Sequence, residues 1–124
     1  MELFNYFRDT QGTGILATSD SEGNVDIAVY SKPYVMTEKI VALHMLNRKS
    51  YANIRSNPNA AYMFVENSKG YKGKRLYLIK IDEQSDPDRV KKLKREHPKI
   101  FKPDMVNKHL VYFLIKKSRP LVGS

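Results

Sequence analysis

Apolar positions along this chain fall mostly at alternate residues, the period of a strand with one covered face, and only short stretches keep the wider spacing of a helix. Val25, Ile27 and Val29 alternate with Asp26, Ala28 and Tyr30. Residues 14–19 before them are short and β-compatible, and the intervening Asp20-Ser21-Glu22-Gly23 has turn chemistry, so the pair predicts a hairpin. After Lys32-Pro33 and a second turn at Thr37-Glu38-Lys39, residues 40–46 are apolar at nearly every position. That suits a strand buried on both faces and central in its sheet. Residues 60–65 and 76–81 read as two more strands joined by a long polar hairpin loop over 67–73, and residues 110–115 form a last one. Five or six short strands with hairpin connections indicate a mainly β fold, a small antiparallel barrel whose closure removes exposed edges.

Helical signals interrupt this pattern. Leu3, Phe4 and Phe7 predict a short amphipathic helix over residues 2–10 that lies across the sheet. Asp86-Pro87-Asp88 combines a capping acid, a first-turn proline and a second acid, and Val90 and Leu93 continue a narrow apolar stripe until Pro98. A third helix begins within Asn47 to Ser50, directly after the most apolar strand. It carries Tyr51 and Ile54 at i, i+3 and ends at Asn57-Pro58.

A length of 124 residues bounds the chain to one domain over 1–124, and a hydrophobic share of 41% is enough for an ordinary core. Cysteine is absent, which excludes disulfides, thiolate metal sites and a cysteine nucleophile. No apolar run approaches the ~20 residues of a membrane span and the N-terminus has no signal-peptide pattern, so a cytoplasmic protein without membrane contact is expected. The net charge of +9 is concentrated: Arg89, Lys91, Lys92, Lys94, Arg95, Lys99 and Lys102 stand against Glu96 alone between residues 89 and 102. Such a run is either a solvated helix face or an attraction for an anionic partner.

The chemistry concentrates at the junction of the most apolar strand and its helix. Asn47-Arg48-Lys49-Ser50 offers two cations, a hydroxyl and the amides of a first helical turn, the outline of a phosphate site. The competing reading is that Asn47 or Ser50 caps the helix while Arg48 and Lys49 point into water. His44, His97 and His109 have no partners at ligand spacing, so no metal site is expected. Gly-x-Ser-x-Gly is absent, and Gly12-Thr13-Gly14 lacks the ending of a phosphate-binding P-loop. Tyr30, Tyr77 and Tyr112 are candidates for ring stacking.

The order of these segments carries a resemblance. A helix, Gly14-Ile15-Leu16-Ala17-Thr18, a turn with Gly23, Ile27-Ala28-Val29-Tyr30-Ser31 and then Asn47-Arg48-Lys49-Ser50-Tyr51-Ala52-Asn53-Ile54-Arg55-Ser56-Asn57-Pro58 resemble the pyridoxamine 5′-phosphate oxidase-like FMN-binding split barrels over residues 1–119. The resemblance implies a six-stranded antiparallel split barrel that binds FMN. It assigns the flavin phosphate to Arg48 and Lys49, with Asn47, Ser50 and Asn53 as helpers, and the ring and ribityl chain to Ile27, Ala28, Val29, Tyr30 and Ser31, with Lys32 at the strand's end. Leu43 and His44 contribute from the third strand. It further implies a homodimer with the flavin at the subunit interface, and a small molecule or protein as redox partner. The chain ends at Arg119-Pro120-Leu121-Val122-Gly123-Ser124 without the Arg-rich segment of the oxidases proper, so an oxidoreductase or electron carrier of unspecified substrate is the expectation. Relatives of this kind also hold haem or deazaflavin. The other class to weigh is a basic β-barrel that binds nucleic acid through phosphate contacts and stacking. Against it, the basic run lies on a helix and its exit, with no interleaved aromatic before Phe101.

Overall fold

A computed structural model describes residues 2–84 and 109–123, together with Lys92, Arg95 and Glu96. The expected helix from Asp86 to Pro98 and most of the basic run therefore lie outside the described residues. Helix α1 (Glu2–Asp9) precedes strands β1 (Gly12–Ser19), β2 (Val25–Tyr30), β3 (Tyr34–Val35) and β4 (Ile40–Met45). Helix α2 (Lys49–Ser56) follows β4, and β5 (Asn59–Glu66), β6 (Gly73–Gln84) and β7 (His109–Pro120) complete the described elements. All seven strands join one antiparallel sheet in the order β2-β1-β5-β6-β7-β4-β3.

The expected β1–β2 hairpin forms in register from Gly14 opposite Tyr30 to Ser19 opposite Val25. Asp20 holds its turn, accepting the amides of Glu22 and Asn24 at 2.9 Å each, and Gly23 takes the positive φ of 85° that the turn needs. The sheet has seven strands where six were expected, because the two-residue β3 pairs Tyr34 with Ala42 and Val35 with Val41. β4 is buried on both faces as expected, yet it stands next to the sheet's end and not at its centre. Curling explains this: Val41, Leu43 and Met45 enter the main core, while Ala42 packs with Tyr34 and Leu110 in a smaller cluster on the other side.

The main core gathers Leu16, Tyr62, Phe64, Leu76, Leu78, Val111 and Phe113 from the sheet with Leu3 and Phe7 of α1 and Tyr51 and Ile54 of α2. α1 lies across the sheet as its apolar spacing requires. Its Phe7 ring meets Phe64 edge-on at 5.3 Å, and the Glu38 carboxylate accepts the Leu3 amide at 3.0 Å, answering the helix's unpaired N-terminal donors. β6 and β7 are twice the expected length, and two register shifts, at Tyr77/Leu78 and Lys80/Asp82, bend them as the sheet curls. At Gly14 a Cβ would collide with the Tyr62 hydroxyl and the Tyr30 carbonyl. The bare glycine lets Tyr62 cross under β1 and donate to the Ser31 carbonyl at 3.0 Å, which fixes the end of β2.

Candidate functional site

Two features of the chain produce a cleft at the open side of the curled sheet. β2 is an end strand, and its period-two alternation turns Asp26, Ala28 and Tyr30 inward while Val25, Ile27 and Val29 face out. β4, near the opposite end, delivers His44 and then Leu46 and the start of α2 to the same place. Asp26, Ala28, Val29, Tyr30, Ser31, His44, Leu46, Arg48, Lys49 and Ser50 line a cleft of about 390 Å³. Small-molecule sites span roughly 300–1,000 Å³.

The helix end at this cleft is uncapped. Arg48 holds the N-cap position with extended backbone (φ −128°, ψ −167°), and among the described residues no side chain accepts the first-turn amides. The capping role weighed for Asn47 or Ser50 is therefore not used, while Arg48 and Lys49 are exposed, as that reading expected. No acid stands in the first turn of α2, and among the described residues no carboxylate forms an ion pair with Arg48 or Lys49. Two cations, a serine hydroxyl and open amides thus share one mouth, an electrostatic arrangement complementary to an anion. The Ser50 hydroxyl lies 3.5 Å from Asp26 Oδ2, the outer limit of a hydrogen bond. Burial pushes the Tyr30 phenol above its ordinary pKa, the Ser50 hydroxyl beside it pulls back, Asp26 raises it further and Arg48 lowers it.

α2 is held firmly behind this mouth. Asn53, 1% exposed, donates from Nδ2 to Thr18 Oγ1 at 3.1 Å, so the helix is pinned to β1, and its Oδ1 has no partner among the described residues. Tyr51 donates to Glu83 Oε2 at 2.6 Å, Lys80 donates to Glu83 Oε1 at 2.7 Å, and the His109 ring stacks parallel on Tyr51 at 4.0 Å. Burial lifts the Tyr51 phenol to about 12, and Glu83 contributes in the same direction. Burial also raises the Glu83 carboxyl, but hydrogen bonds from Lys80 and Tyr51, with the charges of Lys80 and His109, outweigh it and leave Glu83 below the usual range.

Of the residues singled out from the sequence, the structure brings together Ala28, Val29, Tyr30, Ser31, His44, Arg48, Lys49 and Ser50. Five lie elsewhere. Ile27 faces outward, Leu43 is buried in the core, Lys32 donates to the Phe7 carbonyl at 2.8 Å, Asn47 is exposed beside the cleft, and Asn53 sits beneath α2. Tyr77 and Tyr112 do not line the cleft. Asp26 and Leu46 do and were not foreseen, although the alternation of β2 already puts Asp26 on the face of Ala28 and Tyr30.

A curled antiparallel sheet split open between its two ends, with a helix N-terminus at the gap, defines a split barrel. Solved structures of that kind superpose on this one. An FMN-binding protein from Syntrophomonas wolfei is 23% identical, with a TM-score of 0.73 over 98% of this chain and 84% of its own. A proposed pyridoxamine 5′-phosphate oxidase from Lactobacillus delbrueckii is 19% identical, with a TM-score of 0.73 over 95% of this chain and 90% of its own. The haem storage protein HutZ from Vibrio cholerae is 13% identical, with a TM-score of 0.68 over 96% of this chain and 92% of its own. No protein-family model and no curated protein matches the sequence. The chain has the fold of the FMN-binding, pyridoxamine 5′-phosphate oxidase-like split barrels. No described helix is long and apolar enough to cross a membrane.

Proposed function

We propose that this protein is an FMN-binding flavoprotein that acts as an oxidoreductase or electron carrier in the cytoplasm. The observation that carries the reading is the uncapped N-terminus of α2, opening with Arg48, Lys49 and Ser50 into a cleft walled by β2. The donor set fits the flavin phosphate, and Ala28, Tyr30 and Ser31, with the outward-turned Val29 at the margin of the cleft, offer a strand surface for the ring and ribityl chain. When bound, FMN would supply hydride or single-electron chemistry. The chain's own part is to grip the phosphate, orient the ring and exclude water from one of its faces. No acid or base of the protein is required for that role.

A homodimer is part of the same reading. Val25, Ile27 and Val29 are 81%, 69% and 77% exposed, and they adjoin Ile15 and Ala17 of β1 and then Met63 and Ala61 of β5 on the same outer face. A monomer would leave this apolar surface in water, whereas a second copy would cover it next to the cleft.

His44 in the cleft and the likeness to HutZ support a second reading, haem binding. Both His44 ring nitrogens are buried, so the imidazole would have to turn to reach an iron, which is why FMN is preferred. Titration with FMN and with riboflavin tests the assignment. The wild type should bind FMN more tightly than riboflavin, and R48A/K49A should lose that preference, about 2–3 kcal/mol as for charge-assisted hydrogen bonds. A folded double mutant that still prefers FMN to the same degree would sink the phosphate site.

A further inference from the structure

An acid lines the cleft that the cations open into. The alternation of β2 turns Asp26 toward α2, where its Oδ2 stands 3.5 Å from Ser50 Oγ. Its charge and that of Arg48 both reach the Tyr30 phenol, with opposite effect. Asp26 nevertheless forms no ion pair with Arg48 or Lys49 among the described residues, so it is not placed there to satisfy them. Lys49 also lies within the field of Asp20, whose carboxyl is held low mainly by the Asn24 side chain and in smaller part by Lys49.

Resting on the FMN reading, we propose that Asp26 is a selectivity residue that weakens the phosphate end of the cleft, so that FMN exchanges and is not held permanently. Two effects act together. Asp26 lines the same cleft as the two cations, so its charge opposes that of the incoming phosphate, which is close to a dianion at neutral pH. The Ser50 hydroxyl has a single proton to donate, and Asp26 competes with a phosphate oxygen for it. Neither effect touches the neutral ribityl and ring portion. The affinity cost therefore falls on the phosphate alone.

The test compares FMN and riboflavin binding, with FMN release rates, in the wild type, D26N and D26E. D26N removes the charge at nearly constant shape and should bind FMN about tenfold more tightly and release it more slowly, with riboflavin affinity unchanged. D26E keeps the charge and should behave as the wild type. If D26N does not fold, D26S removes the same charge and carries the same expectation. A wild type that prefers FMN, with no tightening in a folded charge-removing variant, overturns the role of Asp26 and leaves the FMN reading standing. A wild type that binds FMN no better than riboflavin overturns the phosphate site and this inference with it.

Discussion

Individual side chains show how closely this fold is fitted around the end of β2. Gly14 is required by the Tyr62 phenol, whose bond to the Ser31 carbonyl crosses under β1. Burial holds that phenol well above its ordinary pKa, so it stays a neutral donor. Gly14→Ala should destabilise the protein by about 1–3 kcal/mol through overpacking, read as a lower midpoint in chemical denaturation. A variant as stable as the wild type would mean that Tyr62 is free to move. Glu83 gives a second residue-level expectation. Its carboxyl is depressed in the folded state, so its stabilising contribution is present above the ordinary value of 4.5 and is lost as pH falls through the lower folded value. Glu83→Gln should flatten the acid limb of the stability profile between pH 4.5 and lower pH. An unchanged acid limb would count against the Lys80–Glu83–Tyr51 cluster as its source. At this scale the grouping of Arg48, Lys49 and Ser50 at one cleft was legible in the sequence, because adjacent residues at a strand-to-helix junction share one helix start whatever the rest of the fold does. Asp26 was hidden by its neighbours: it reads as the polar half of an alternating strand, and only the curl of the sheet shows that the polar half faces the cleft.

The elements that matter most are β2 and α2, and what positions them differs. β2 is an end strand held on one side by β1, whereas α2 is pinned from beneath by Asn53 to Thr18 and by Tyr51 to Glu83. Asn53→Ala removes a buried hydrogen bond and should cost about 1–3 kcal/mol of stability while loosening the helix against β1. Hydrogen exchange should then speed up in α2 ahead of β6 and β7; uniform exchange would show that Asn53 does not anchor the helix. The sequence located α1, α2 and six of the strands because their apolar spacing is regular. It missed β3, since two residues carry no period, and it shortened β6 and β7, whose outer ends at Lys74 and Arg75 and at Lys116 to Arg119 are polar. β4 shows the limit of pattern reading most clearly. A continuous apolar run correctly signals burial on both faces, but burial can come from a curled sheet as well as from a central position.

For the whole molecule, the open question that the fold raises is what covers the outer face of β2, β1 and β5. The expected homodimer answers it with the least new structure, because an isologous contact would bury Val25, Ile27 and Val29 against the same strands of a second copy. Ile27→Asp puts a charge into that face and should convert a dimer to a monomer in analytical ultracentrifugation. A wild type that sediments as a monomer at micromolar concentration would remove this part of the account. The nucleic-acid alternative rests on the basic run at residues 89–102, of which Lys92, Arg95 and Glu96 alone are described, all three exposed.

Binding of FMN in this cleft, as proposed, is read from a difference absorption spectrum of the protein titrated with FMN at equilibrium. The expected result is a perturbed flavin spectrum that saturates at one FMN per chain. A spectrum identical to free FMN at every protein concentration would contradict it, and a haem spectrum from the purified protein would replace FMN with haem at the same cleft.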